Sequence, residues 1–343
     1  MSGEYGALAA KARAIYGRRL TAADFSALIR KSSVAEVMSY LKGTPRFSSE
    51  FASVNELTAR RAQIESLLER SLFEIYGRLL RSAGGGDDGF PKFMFFKYEL
   101  DVIVNVSLYI LIDKQESVIA YLPFYMEDLL GFELAPLGKI KTASELPAAF
   151  ADTDYADILV EHFGGNKTPK VDLFLRDMNA RYVDKMTELA AEDISGDAKN
   201  EVIGLIKAQA EIDNLLLIYR LRSLFKEPST EILPLLLPIR AKLPKGVAQS
   251  AANEHDADAK VLALLKKYYF KDKIVCDLNN IEVSARKYMR DRCARLLHMS
   301  EDGAAVMYAL MRLLDIEKHN VITVVESVKY ALPVTETEKM LVN

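Results

Sequence analysis

The feature that most constrains this chain is a polar cluster set inside apolar helices and used three times. Glu211-Ile212-Asp213-Asn214 runs directly into Leu215-Leu216-Leu217-Ile218-Tyr219-Arg220-Leu221-Arg222. The apolar spacing continues upstream through Val202, Leu205 and Ile206, so the acid and the amide sit within a helix rather than at its end. The arrangement returns as Glu317-Lys318-His319-Asn320 before Val321-Ile322-Thr323-Val324-Val325. It occurs in reduced form as Glu99-Leu100-Asp101-Val102 before Ile103-Val104-Asn105-Val106, with Val102 at the position of the amide. The glutamates lie 112 and 106 residues apart, so the chain is organised as a recurring block of about 100 residues.

Other segments keep the same period. Leu20-Thr21-Ala22-Ala23-Asp24-Phe25 is a helix start in which Asp24 can complete a capping box with Thr21, and it is echoed by Lys141-Thr142-Ala143-Ser144-Glu145-Leu146. Ser33-Val34-Ala35-Glu36-Val37-Met38 is echoed by Asp154-Tyr155-Ala156-Asp157-Ile158-Leu159. The pattern predicts long helices over 53–81, 170–191 and from Asn280 onward. Core helices are expected over 93–112, 197–225 and 303–331. Within 53–81, Leu57, Ile64, Leu67, Leu68, Leu72, Ile75, Leu79 and Leu80 are expected to face inward. The aromatic run Phe93-Met94-Phe95-Phe96 reads as core, and Gly84-Gly85-Gly86-Asp87-Asp88-Gly89 as a linker or loop.

No segment alternates with a period of two, so the expected fold is all-α. It divides into three related helical units, 1–131, 132–236 and 237–343. A block of about 100 residues is long for a solenoid, whose units are usually about 20–50 residues, which favours three small helical units about a pseudo-threefold axis over a rod.

The polar repeat has two readings. A titratable acid poised for chemistry is one, and a recurring inter-helix hydrogen bond is the other. Buried polar groups need partners, and Arg220, Arg222 and neighbouring lysines are the candidates. Recurrence in three units favours the structural reading, since a catalytic group is needed once. Glu99, Glu211, Asn214, Glu317 and Asn320 are the structural repeat positions.

Composition closes off several function classes. A net charge of −3 and a pI near 6.0 give no footprint for nucleic acid. Two cysteines, Cys276 and Cys293, are too few for a disulfide framework, fit a reducing compartment and read as packed thiols. The uncharged stretches are shorter than the roughly 20 residues that a spanning helix requires. Gly164-Gly165-Asn166-Lys167-Thr168 lacks the leading glycine of a phosphate-binding loop. The four histidines are scattered, and no zinc, nucleophile-elbow or dinucleotide motif is present. No catalytic residue, cofactor or metal is expected.

These residues resemble the C/d subunit family of V-type and A-type rotary ATPases. The likeness rests on Tyr5 through Arg18-Arg19-Leu20-Thr21, on Leu28-Ile29 and on Val34, Val37 and Tyr40-Leu41-Lys42-Gly43-Thr44-Pro45. It continues through Tyr98-Glu99, Glu211-Ile212-Asp213-Asn214, Glu317 with Asn320, and Leu332-Pro333. Val102 and the insert at Gly84–Gly89 depart from the pattern in the first unit only. The resemblance implies a non-catalytic funnel of three helical domains that couples the central stalk to the membrane rotor ring. It would transmit torque for ion transport, of H+ or Na+, or for ATP synthesis. It also implies, as partners, the ring proteolipid, the central-stalk subunits D and F and indirectly the A/B head, at the cytoplasmic face of the membrane. Leu134, Pro136, Leu236 and Pro238, in inter-helix loops, are candidate ring contacts, with buried connectors as the alternative. A general α-helical scaffold is the competing reading of the whole chain.

Overall fold

The computed structural model describes residues 2–82, 89–165, 169–271 and 274–342. The stretches 84–88 and 166–168, which the sequence reads as a flexible insert and a failed phosphate loop, lie outside the described residues. No strand forms among the described residues. In chain order the α-helices are α1 (Ser2–Tyr16), α2 (Ala22–Leu28), α3 (Val34–Lys42), α4 (Arg61–Ser82), α5 (Phe93–Leu111), α6 (Val118–Tyr121), α7 (Leu146–Ala149) and α8 (Ala156–Phe163). They continue with α9 (Val171–Asp193), α10 (Gly196–Tyr219), α11 (Ser229–Ile232), α12 (Val247–Asn253), α13 (Ala257–Leu265), α14 (Ile281–Met299), α15 (Gly303–Lys329) and α16 (Val334–Met340).

The expected helix starts are where local chemistry puts them. The Thr21 hydroxyl accepts the Asp24 N–H at 3.2 Å while the Asp24 carboxylate accepts the Thr21 N–H at 2.7 Å. The echo is kept further on, where Glu145 accepts the Thr142 N–H at 3.0 Å. Ser33 caps α3 by accepting the Glu36 N–H at 3.2 Å. Each such cap is worth about 1 kcal/mol.

One boundary differs from expectation. The long helix predicted from Ser53 begins at Arg61, and Leu57, expected inward, is 87% exposed. Phe47, Phe51 and Val54 anchor the preceding segment in the core, and Asn55 Oδ1 takes the Leu57 N–H at 3.1 Å in a side-chain turn. That local bond competes with helix propagation.

The chain divides into two compact units. The first comprises 1–87, 194–205 and 258–343. In it α15 packs against α1, α4 and α14, and its C-terminal half, through Val321, Val324 and Val325, shares a core with Phe25, Leu28, Val37, Met38 and Leu41 of α2 and α3. The last core helix therefore packs on the opening helices of the chain.

The second unit comprises 88–193 and 206–257. Here α5, through Leu100, Ile103 and Val106, shares a core with Leu134, Leu146, Phe150, Leu159, Phe174 and Met178. The first core helix thus packs on the short helices that follow it. Of the aromatic run, Phe93 and Phe95 are buried, while Met94 and Phe96 are half-buried.

The three core helices α5, α10 and α15 also stop alike. Asp113, Lys226 and Ala331 adopt left-handed backbone with φ of 55°, 59° and 51°. The following N–H groups reach back, Lys114 to Tyr109 O, Glu227 to Leu221 O and Leu332 to Ser327 O, each at 2.9 Å. This is a Schellman-type stop, built without glycine. The middle one is one residue longer because α10 runs into a π-helical turn over Arg220–Leu224.

Candidate functional site

The repeated acids and amides are mostly buried and share one kind of partner. Glu317 is 7% exposed; its Oε1 accepts the Leu20 N–H at 2.6 Å and its Oε2 accepts from Arg46 Nε at 3.1 Å. Arg46 also bonds Ser71 Oγ at 3.1 Å and lies over the Phe47 ring. Burial pushes the Glu317 carboxyl above its ordinary value, and Arg46 with the Leu20 N–H opposes that shift.

Glu211 is 2% exposed. It accepts three consecutive main-chain N–H groups, from Ala241 and Lys242 at 2.8 Å and from Leu243 at 2.9 Å. Glu99 is half-buried and accepts the Gly131 N–H at 2.9 Å. Gly131 comes so close that a Cβ there would stand 3.0 Å from Glu99 Oε1, which is why a side chain would crowd this latch. Burial raises the Glu99 carboxyl, with the Gly131 bond acting against it.

The amides act by a second device. Asn214 Nδ2 donates to Leu237 O at 2.9 Å while its Oδ1 accepts the Leu237 N–H at 2.8 Å. Asn320 repeats this with Val342, both bonds at 3.0 Å. A primary amide pairs with one residue's N–H and C=O as a neighbouring β-strand would, so each asparagine fixes a non-helical segment in both position and direction. Val102, with an apolar side chain, cannot do this.

Glu99 and Glu211 thus hold main chain some thirty residues downstream, whereas Glu317 holds it at Leu20, far upstream. Sequence reading found the acids and amides but not these partners. Of the expected partners Arg220, Arg222 and neighbouring lysines, Arg222 gives its terminal nitrogens to the carbonyls of Glu227 and Glu254.

The loops singled out as contacts are the ones so held. Gly131 leads into Leu134 and Pro136, and Leu237 stands between Leu236 and Pro238. Leu134 and Leu236 are buried, while Pro136 and Pro238 are exposed.

Beside these latches, Lys318 Nζ lies 2.6 Å from Glu69 and 2.8 Å from Asp315, tying α15 to α4. Burial alone would lower its ammonium, but the two acids outweigh it and hold it above the ordinary lysine value. A cleft of about 570 Å³ in the first unit carries Asp197, Glu201, Glu301 and Asp302. Of these acids, Glu201 pairs with Arg292 at 2.9 Å and Asp302 caps α15 by accepting the Ala305 N–H at 3.0 Å. No helix among the described residues is long and apolar enough to cross a membrane.

The comparison with known families decides the assignment. Residues 8–340 match the family model of the ATP synthase (C/AC39) subunit. The chain belongs to this family. No curated protein matches it. As a C/AC39 family member it falls among the subunits of the V/A-type rotary ATPase complex, and the match runs through all three copies of the Glu/Asn motif.

Proposed function

We propose that this C/AC39 family member is a non-catalytic rotor subunit that joins the central stalk to the membrane ring and carries torque between them. The observation that carries the proposal is the family match over 8–340, which takes in nearly the whole chain. The proposed partners are the ring proteolipid and stalk subunits D and F, with the A/B head acting through the stalk. The proposed place is the cytoplasmic face of the membrane, and the transported ion is H+ or Na+. The subunit itself carries out no covalent step.

The latch chemistry supports this role. A torque coupler must resist shear between its helical parts. Main-chain bonds to buried carboxylates and reciprocal amide pairs are directional, and charge-assisted bonds are about twice as strong as neutral ones. We further propose that the three repeats, 1–131, 132–236 and 237–343, are arranged about a pseudo-threefold axis. The succession of latches supports it, because Glu317 reaches the chain at Leu20 as Glu211 reaches it at 241–243. In this arrangement Glu99, Glu211, Asn214, Glu317 and Asn320 hold the joints. Pro136 and Pro238 are proposed ring contacts, set on loops whose Leu134 and Leu236 are packed beneath.

Co-purification tests the proposal. The tagged chain is expected to come out of gently solubilised host membranes with a small apolar ring protein and with stalk and head ATPase subunits. Recovery of the chain alone from the soluble fraction, in cells whose ATPase is intact, would reject the role.

A further inference from the structure

Of the large apolar side chains exposed among the described residues, Ile112, Leu224, Phe225, Tyr330, Leu332 and Val334 lie within three residues of the stop that ends a core helix. The residue just before each left-handed stop is among them: Ile112 is 57% exposed, Phe225 67% and Tyr330 66%. The same cap motif in three repeats therefore ends in a large apolar side chain directed at solvent. Burying a phenylalanine side chain is worth about 1.5–3 kcal/mol, so three such exposures at one position of the repeat point to contact with another molecule.

The end of α10 shows what that molecule is like. Its π-helical turn adds a residue, so Leu224, 65% exposed, stands beside Phe225 as a double apolar tip. Single π-turns within α-helices concentrate at functional positions. Basic residues border the tip: Arg220 and Lys226 are exposed, and half-buried Arg222 bonds to the neutral carbonyls of Glu227 and Glu254. Lys226 itself occupies the left-handed stop, at φ 59°, where glycine would be unstrained. A lysine there brings its charge next to the apolar pair at a conformational cost. We infer that the α10 tip, Leu224 and Phe225 bordered by Arg220, Arg222 and Lys226, is a docking point for an acidic, apolar-bearing segment of another subunit of the ATPase. Charge complementarity selects the acidic partner, and the apolar pair supplies the buried centre such contacts need. This inference rests on the chain acting within the complex.

The test places the photo-reactive residue p-benzoylphenylalanine at Phe225, and at the still more exposed Leu57 as a control, in host membranes carrying the assembled complex. Illumination and peptide mapping are expected to join position 225 to an Asp/Glu-rich apolar segment of one other ATPase subunit, with no such product from position 57. Lys226→Gly and Phe225→Asp are expected to lower retention in the complex about tenfold at moderate salt. Lys226→Gly should leave the melting temperature unchanged or higher, because it relieves the left-handed lysine. Crosslinks from 225 to lipid alone, to a basic segment, or at the frequency of position 57 would overturn the inference. So would undiminished retention of both variants. If the wild-type chain fails to co-purify with the complex at all, the coupling role fails as well; if it co-purifies and 225 stays uncrosslinked, only the docking point falls.

Discussion

Glu317 Oε1 accepts the main-chain N–H of Leu20 at 2.6 Å, across 297 residues of sequence. Its other oxygen meets Arg46 Nε at 3.1 Å, so one buried carboxylate of the last core helix holds two places in the first sixth of the chain. This is the longest-range of the repeated latches. Because the Arg46 side chain is only 5% exposed, removing its partner leaves a cation out of water. Glu317→Gln is therefore expected to destabilise the chain by about 3 kcal/mol, at the lower edge of the range for breaking a buried pair, since Glu50 remains 3.5 Å from Arg46. Denaturant midpoints at constant m-value check this; a change under about 0.5 kcal/mol, the scale of an ordinary surface substitution, would show that the latch carries no load.

The Asn320 clamp secures the chain's end. Leu341 and Val342 are 1% and 3% exposed, and Val342 owes both main-chain bonds to one side chain. Asn320→Ala should cost about 2 kcal/mol, the sum of two lost bonds of about 1 kcal/mol each. It should also release the last residues to carboxypeptidase. An unchanged digestion rate would mean that packing of Leu341 suffices.

Glu99 gives the pH dependence its sign. Burial raises its carboxyl above the ordinary 4.5, so the folded chain holds this proton more tightly than the unfolded one. Its contribution to stability therefore grows as pH falls through the folded-state pKa toward 4.5 and is lost as pH rises above it. Glu99→Gln removes this dependence. The stability of the wild type relative to Glu99→Gln is expected to increase between pH 7 and about 4.5, read from denaturant melts at a series of pH values. The opposite slope would mean that the carboxylate, not the acid, is the favoured partner of Gly131.

The cysteines should be silent. Cys293 is fully buried and its thiol is pushed up to about 11; burial raises Cys276 as well. Since the thiolate is the reactive form, neither should react with a thiol-specific disulfide reagent at pH 8 until the chain is unfolded, when both should. Rapid reaction of the native chain would reveal opening around α14.

The sequence by itself determined the all-α class, the long helices apart from the start of α4, the caps at Thr21 and Ser33, and the places of the repeated acids and amides. These are local facts: a helix face is written at a spacing of three and four residues, and a cap within three. The long helix expected from Asn280 onward opens at Ile281, with Asn280 as its cap residue. It missed the start of α4, because Phe47, Phe51 and Val54 are drawn into a core whose other members lie in α2, α3 and α15. It also missed what the repeated residues hold. A spacing of 3.6 residues states which face of a helix is buried, not what it is buried against. Only the tertiary structure decided that Glu211 would gather the N–H groups of 241–243 and Glu317 that of Leu20. A main-chain N–H is present at every residue but proline, so it leaves no mark in the sequence, and what selects one of them is the packing of helices far apart in the chain.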